Sequence, residues 1–168
     1  MPVLKYKLGI LTVSDKGSRG ERQDTSSTAI RELLLDTDFA VSAYDIVPDE
    51  IELIVNKLCS WADECQIDVI LTTGGTGLGP RDVTPEATLS VIDRVIPGFA
   101  EAMRAESMKI TSRAMLSRAV AGARGKCLII NLPGSPKAAR ECLNIILSAL
   151  PHAVDILRSN VTDCAVSD

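Results

Sequence analysis

Aromatic side chains are scarce in this chain: one Trp, two Tyr and two Phe make up 3% of 168 residues. A core has to be built from Leu, Ile, Val and Ala instead. Positive charge is also short, with a net charge of −4 and a pI near 5.1. That balance excludes general binding to nucleic acid or to a membrane surface, and leaves open local phosphate binding through backbone N–H groups. Apolar runs are all too short to span a bilayer, and Met1-Pro2-Val3-Leu4-Lys5 lacks the layout of a signal peptide. The expected location is the cytoplasm. The five cysteines, Cys59, Cys65, Cys127, Cys142 and Cys164, are odd in number and include no C-x-x-C pair. They read as buried, reduced thiols rather than as a disulfide framework or a zinc knuckle. His152 is the single histidine, beside Pro151, and no nucleophile motif points to it. A Ser-His or Cys-His catalytic pair is therefore not expected.

What the chain does have is glycine, concentrated in one place. Four glycines fall within six residues in Gly74-Gly75-Thr76-Gly77-Leu78-Gly79, preceded by Thr72-Thr73 and followed by Pro80-Arg81-Asp82-Val83-Thr84-Pro85-Glu86. The apolar run Asp68-Val69-Ile70-Leu71 ahead of them reads as a buried strand. Behind them Ala87, Val91, Ile92 and Val95 keep helical spacing over 86–95, with Thr84 as N-cap and Pro85 at the first helical position. The loop thus joins a strand to a helix. Glycine permits positive φ and close approach to the backbone, and successive exposed N–H groups make an anion-binding concavity, to which Thr76 adds a hydroxyl. A phosphate cradle is one reading and a flexible surface loop the other. A P-loop is excluded, because Gly79 is followed by Pro80 and Arg81 rather than by Lys and Ser or Thr. The spacing G-x-G-x-G after the third strand also differs from the dinucleotide fingerprint.

Elsewhere strands alternate with helices. Leu8-Gly9-Ile10-Leu11-Thr12-Val13 is the first expected strand, ending in a polar loop over 14–21. Asp24 or Thr25 caps a helix with Ala29, Ile30, Leu33 and Leu34 inward. A second strand covers 39–47, and Pro48-Asp49-Glu50 opens a helix with Ile51, Ile54, Val55, Leu58 and Ala62 on its inner stripe, Trp61 packing nearby. After the cradle and its helix, Pro97-Gly98 turns into a helix over 99–109 with Phe99, Met103 and Met108 inward. A further helical stretch is expected over 111–121, then a strand over 126–132. Pro133-Gly134-Ser135-Pro136 starts the next helix, lined by Ala138, Cys142, Ile145, Ile146 and Ala149, and Pro151 interrupts it. This alternation predicts an α/β fold in three layers, a mostly parallel sheet with helices on both faces and right-handed crossovers. In such a sheet Ser14-Asp15, the loop from Gly74 to Asp82, and Pro133-Gly134-Ser135 share one edge, and Asp49 joins them. On their own, Asp49 and Asp82 read equally as carboxylates at helix starts.

Four motifs in order, Thr72-Thr73-Gly74-Gly75-Thr76-Gly77, Arg81-Asp82-Val83-Thr84-Pro85-Glu86-Ala87-Thr88, Pro97-Gly98-Phe99 with Glu101, Met103 and Arg104, and Leu132-Pro133-Gly134-Ser135-Pro136, resemble the MogA/MoaB family of molybdenum-cofactor biosynthesis proteins. The gephyrin N-terminal domain is related to that family. Val47-Pro48-Asp49-Glu50, Ser14-Asp15 and Asp24-Thr25-Ser26 fit it too; Ser27 stands where many relatives have Gly. The resemblance covers roughly residues 7–158. It implies one molybdopterin-binding domain over 1–158 with a polar tail over 159–168. It also implies adenylyl transfer from ATP to molybdopterin with Mg²⁺, a homotrimer, and work alongside a molybdenum-insertion partner. The alternative is a non-catalytic molybdopterin-binding or scaffold module. Asp49 and Asp82 are then the functional carboxylates and candidate Mg²⁺ ligands. Ser14, Asp15, Thr73, Gly74, Gly75, Thr76, Gly77, Arg81, Pro133, Gly134 and Ser135 are the candidate substrate and phosphate contacts.

Overall fold

The computed structural model describes residues 5–159; Cys164 and all of the expected tail beyond Ser159 lie outside the described residues. Six strands, β1 (Tyr6–Val13), β2 (Phe39–Val47), β3 (Val69–Thr73), β4 (Arg94–Val95), β5 (Ala121–Arg124) and β6 (Cys127–Leu132), form one sheet in the order β2-β1-β3-β6-β5-β4. The first four strands of that order run parallel, while β5 and β4 are antiparallel additions at the edge.

Alternation along the strands divides the core in two. Leu8 and Ile10 of β1, Leu71 of β3, and Leu128 and Ile130 of β6 face one side. There they pack on α2 (Thr25–Leu34), α5 (Pro97–Met108), α6 (Pro136–Ile146) and α7 (Leu150–Leu157). Leu11, Val13, Ile70 and Ile129 face the other side, against α3 (Ile51–Cys59) and α4 (Thr84–Val91). This is the period-two pattern of a sheet covered on both faces. Trp61 is buried over β1, where a Cβ on Gly9 would come within 2.8 Å of its ring. It packs, as its sequence context suggests. His152 is exposed.

Two expectations fail along the edge. The helix expected over 86–95 stops at Val91, and Arg94–Val95 is a strand. The helix expected over 111–121 is only a 3₁₀ turn, Ser112–Leu116, after which Ala121–Arg124 forms β5. Ala and Met favour helix by propensity, but pairing with β6 outweighs propensity here. Gly125, at φ 54°, closes a two-residue turn between Arg124 and Cys127. Gly122 lets β4 approach, since a Cβ there would lie 2.5 Å from the Arg94 carbonyl oxygen. Met108, expected inward, is 44% exposed, whereas Met103 is buried.

The strand order places β2 on one side of β1 and β3 with β6 on the other. That reversal is where open α/β sheets bind ligands, beyond the carboxyl ends of the strands. Register brings those ends level: Val13 pairs with Val47, Thr12 with Thr73, and Thr73 with Leu132.

Candidate active site

The loops leaving those strand ends are tied together by their own polar groups. After β1, Ser14 caps a single helical turn, α1 (Asp15–Ser18), in place of the expected loop, and its Oγ accepts from Gly17 N at 3.0 Å. After β2, Asp49 meets that turn in a reciprocal pair. The Asp15 N–H donates to Asp49 Oδ2 at 2.9 Å, and the Asp49 N–H donates to Asp15 Oδ1 at 3.0 Å. Asp49 is therefore not the cap of α3; Glu50 occupies that position without a side-chain bond.

The glycine loop after β3 folds under steric constraints that other residues do not meet. Gly74 has φ 103°, and a Cβ would lie 2.3 Å from the Val13 carbonyl oxygen; Gly75 has φ 68°, and a Cβ would lie 2.3 Å from Thr84 Oγ1 and 3.1 Å from Asp49 Oδ1. Thr84 is the first residue of α4 rather than its cap, and Val83 takes the cap position. The Thr84 hydroxyl instead donates to the Gly74 carbonyl oxygen at 2.9 Å, and its N–H to that of Gly75 at 3.1 Å. Among the described residues, the N–H groups of Gly75, Thr76, Gly77 and Leu78 have no protein acceptor. Four consecutive donors without partners are what an anion cradle requires.

Asp82 lies at the far end of this loop. Its Oδ2 accepts from Gly79 N at 2.8 Å, and a Cβ on either Gly77 or Gly79 would sit 2.9 Å from that oxygen. It does not cap α4. Arg81, expected on phosphate, donates to both carboxylate oxygens of Asp15, at 3.0 and 2.9 Å. Asp15 is held below the usual carboxylate range by that guanidinium and by the Asp49 N–H. Asp49 is pushed above it by burial, with the Asp15 and Asp82 charges adding to the effect.

Two hollows flank the loop. One, of about 230 Å³, brings together Ser14, Thr73, Gly74, Gly134 and Ser135. The other, of about 280 Å³ and mostly apolar, is lined by Thr76, Gly77, Met103, Leu116, Pro133 and Cys142. All the expected residues thus collect at one sheet edge, in three groups: the two hollows and the carboxylate cluster. Ser135 caps α6, accepting from Ala138 N at 3.1 Å, and Thr73 donates to the Pro133 carbonyl oxygen at 2.7 Å. The Ser14 and Ser135 hydroxyls each keep a proton to donate. Arg104 does not pair with Glu101 but donates to the Ser117 and Ala119 carbonyl oxygens.

Residues 9–152 match the family model described as a probable molybdopterin binding domain. The chain belongs to that family. It is 46% identical to the molybdopterin adenylyltransferase of Helicobacter pylori strain J99, over 91% of this chain and 88% of that protein. The crystal structure of the molybdopterin biosynthesis enzyme MoaB from Thermus thermophilus matches with a TM-score of 0.88 and 56% identity, covering 92% of this chain and 98% of that one. The tungsten cofactor synthesizing protein MoaB from Pyrococcus furiosus matches with a TM-score of 0.83 and 37% identity, covering 91% and 97%.

The donor set of this molybdopterin-binding domain bears on a metal. Among the described residues, no group of three or more His, Cys, Asp or Glu side chains is placed to hold a metal alone. Mg²⁺ rarely asks for that: it takes one or two carboxylates with waters and substrate phosphates. Asp49 and Asp82 both lie against the run of free N–H groups: a Cβ on Gly75 would sit 3.1 Å from Asp49 Oδ1, and one on Gly77 2.9 Å from Asp82 Oδ2. They fit Mg²⁺ shared with a phosphate. Reading the sequence alone missed Arg118, Asn131 and the Thr84 hydroxyl. Arg118 sat in a stretch with helical composition, and Asn131 inside an apolar strand, so neither carried a signal.

Proposed function

We propose that this chain transfers the adenylyl group of ATP to molybdopterin, giving adenylyl-molybdopterin and pyrophosphate. The observation that carries the reading is the run of four unpartnered N–H groups, Gly75 to Leu78, beside the Asp49 and Asp82 carboxylates. The name of the Helicobacter pylori relative supports it. A loop shared by two hollows suits a reaction that joins two substrates through their phosphates.

The attacking group in this reading is a terminal phosphate of molybdopterin. Such a monoester is largely dianionic near neutral pH, its second pKa being about 6, so it needs no general base. Asp49 and Asp82 would accordingly hold Mg²⁺ and set the alignment rather than abstract a proton. When bound, the ion would supply neutralisation of the phosphate charge. The cradle N–H groups hold phosphate oxygens and favour the charge that develops during transfer. Arg81 reaches the same region once it exchanges Asp15 for phosphate. Ser14, Gly134 and Ser135 offer a hydroxyl or main-chain polar groups to the ligand in the smaller hollow. The chain acts as one domain over 1–158, as a homotrimer in the cytoplasm, handing its product to a metal-insertion partner.

The test is pyrophosphate release from ATP in the presence of molybdopterin and Mg²⁺. Release that depends on molybdopterin is the expected result. Tight molybdopterin binding by calorimetry with no release would favour the non-catalytic binding or scaffold module instead.

A further inference from the structure

The transfer as described makes no use of Arg118, between the 3₁₀ turn Ser112–Leu116 and β5. Its guanidinium nonetheless grips the glycine loop at two points, Gly77 and Asp82. Nε donates to the Gly77 carbonyl oxygen at 2.8 Å, and Nη2 donates to that of Asp82 at 2.7 Å. Nη1 pairs with Glu86 in the first turn of α4. The Arg118 backbone N–H adds a bond to the Thr76 carbonyl oxygen at 2.9 Å.

Residues 77–82 belong to no helix or strand. Within the loop only the Gly79–Asp82 bonds restrain them. Holding both carbonyls on one rigid planar group therefore fixes the distance between Gly77 and Asp82. It also fixes orientation. In a trans peptide the carbonyl and the following N–H point opposite ways. With the Thr76, Gly77 and Asp82 carbonyls drawn to Arg118, the N–H groups of Gly77, Leu78 and Val83 face away from it. The Asp82 backbone is held on one side by Arg118 and its carboxylate on the other by Gly79 N.

Arg118 is itself braced. Arg104 of α5 holds the carbonyls on either side of it, those of Ser117 and Ala119, at 3.3 and 2.8 Å. Asn131 of β6 takes the Val120 N–H at 3.2 Å. A rigid element thus reaches the loop through one side chain. Lysine cannot replace it, because a point-charge ammonium lacks the planar fork that spans two carbonyls.

We propose that Arg118 is a positioning residue for the transfer, setting the shape of the glycine loop and the place of the Asp82 carboxylate. This rests on the reading of Asp82 given above. The experiment compares the full chain with Arg118→Lys, Asp82→Asn, the double variant and Glu86→Gln. Pyrophosphate release and amide hydrogen exchange are measured on each. Arg118→Lys should lower kcat about 10–10²-fold, the scale expected of a misplaced catalytic group. On the Asp82→Asn background the same change should cost less than about threefold, because coupled residues do not add. Glu86→Gln should stay within about threefold of wild type, since it leaves both carbonyl bonds intact and removes only a solvent-exposed ion pair. In Arg118→Lys the Gly79 amide should exchange faster while the Leu71 and Ile130 amides of the sheet keep their rates.

Full multiplication of the two losses in the double variant would overturn the proposal. So would a Glu86→Gln loss as large as that of Arg118→Lys, unchanged Gly79 exchange, or faster exchange throughout the sheet, which would make Arg118 merely structural. Failure of the wild-type chain to release pyrophosphate would instead remove the proposed function. The Gly79 exchange would still decide whether Arg118 places Asp82.

Discussion

Asp82 turns away from the helix that follows it. Val83 holds the cap position of α4 without a side-chain bond, and the Asp82 carboxylate reaches back to Gly79 N. Asn can still accept that bond, so Asp82→Asn should keep stability within about 0.5 kcal/mol while turnover falls about 10²–10³-fold. Asp82→Ala should lose a similar rate and, with the loop bond gone, about 0.5–1.5 kcal/mol of stability. Melting temperature, molybdopterin affinity and pyrophosphate release on both variants check this; near-normal turnover in both would leave Asp82 as a loop-shaping residue. Asp49 carries a prediction of opposite sign for stability. Burial raises its pKa, with the Asp15 and Asp82 charges adding, against the Asp15 N–H and Arg81. The folded chain then keeps a proton at a pH where the unfolded chain has lost it. Stability from this group falls as pH rises through that window and stays lower above it. Asp49→Asn should therefore melt at or above wild type at pH 7 while losing turnover, and the advantage should vanish below the usual carboxylate pKa of about 3.9. Melting curves across that range test the sign, and a clear loss of stability at pH 7 would contradict it.

At the scale of the element, α4 is the piece that fastens the cradle to the sheet. Asn131 on β6 is fully buried, and its Nδ2 donates to Thr72 of β3 at 3.0 Å and to Thr88 of α4 at 2.9 Å. With the Val120 N–H on Oδ1, every polar group in this buried cluster is paired, which favours one docking of the helix. Asn131→Leu strands those partners in an apolar interior. The expected cost is about 1–3 kcal/mol for the groups left unpaired, read as a lower midpoint in urea; an unchanged midpoint would mean the network is replaceable. The sequence announced α4 by the cradle before it and Pro85 in its first turn, and β2 over 39–47 by its apolar run. It announced Asn131 only as a polar residue in a strand, because which face it takes depends on what packs there. The same limit hid β4 and β5, whose short Ala- and Gly-rich segments are strands only because β6 is beside them.

For the whole molecule the prediction concerns assembly. Val95, Met108, Ile110, Met115 and Leu116 are between 44% and 64% exposed, an apolar load on the segment that follows α4. A stable interface buries about 1,200–2,000 Å², and side chains of this kind would supply its apolar part. The homotrimer that the family resemblance implies predicts that light scattering at micromolar concentration reports three copies of the 18.0 kDa chain; a monomer would remove it.

Taken alone, the sequence determined the α/β architecture, the succession of the four parallel strands along the chain and the edge on which Ser14, Asp49, the glycine loop and Pro133-Gly134-Ser135 meet. Each of those follows from local signals: apolar periodicity, turn residues, and a glycine run that only close backbone approach explains. Tertiary structure alone decided that Asp15 and Asp49 bind each other's main chain, that Arg81 rests on Asp15, and that Arg118 holds the cradle. Those contacts join residues 34, 66 and 36 positions apart. Their geometry depends on how the helices and loops pack at the strand ends, which no local pattern encodes.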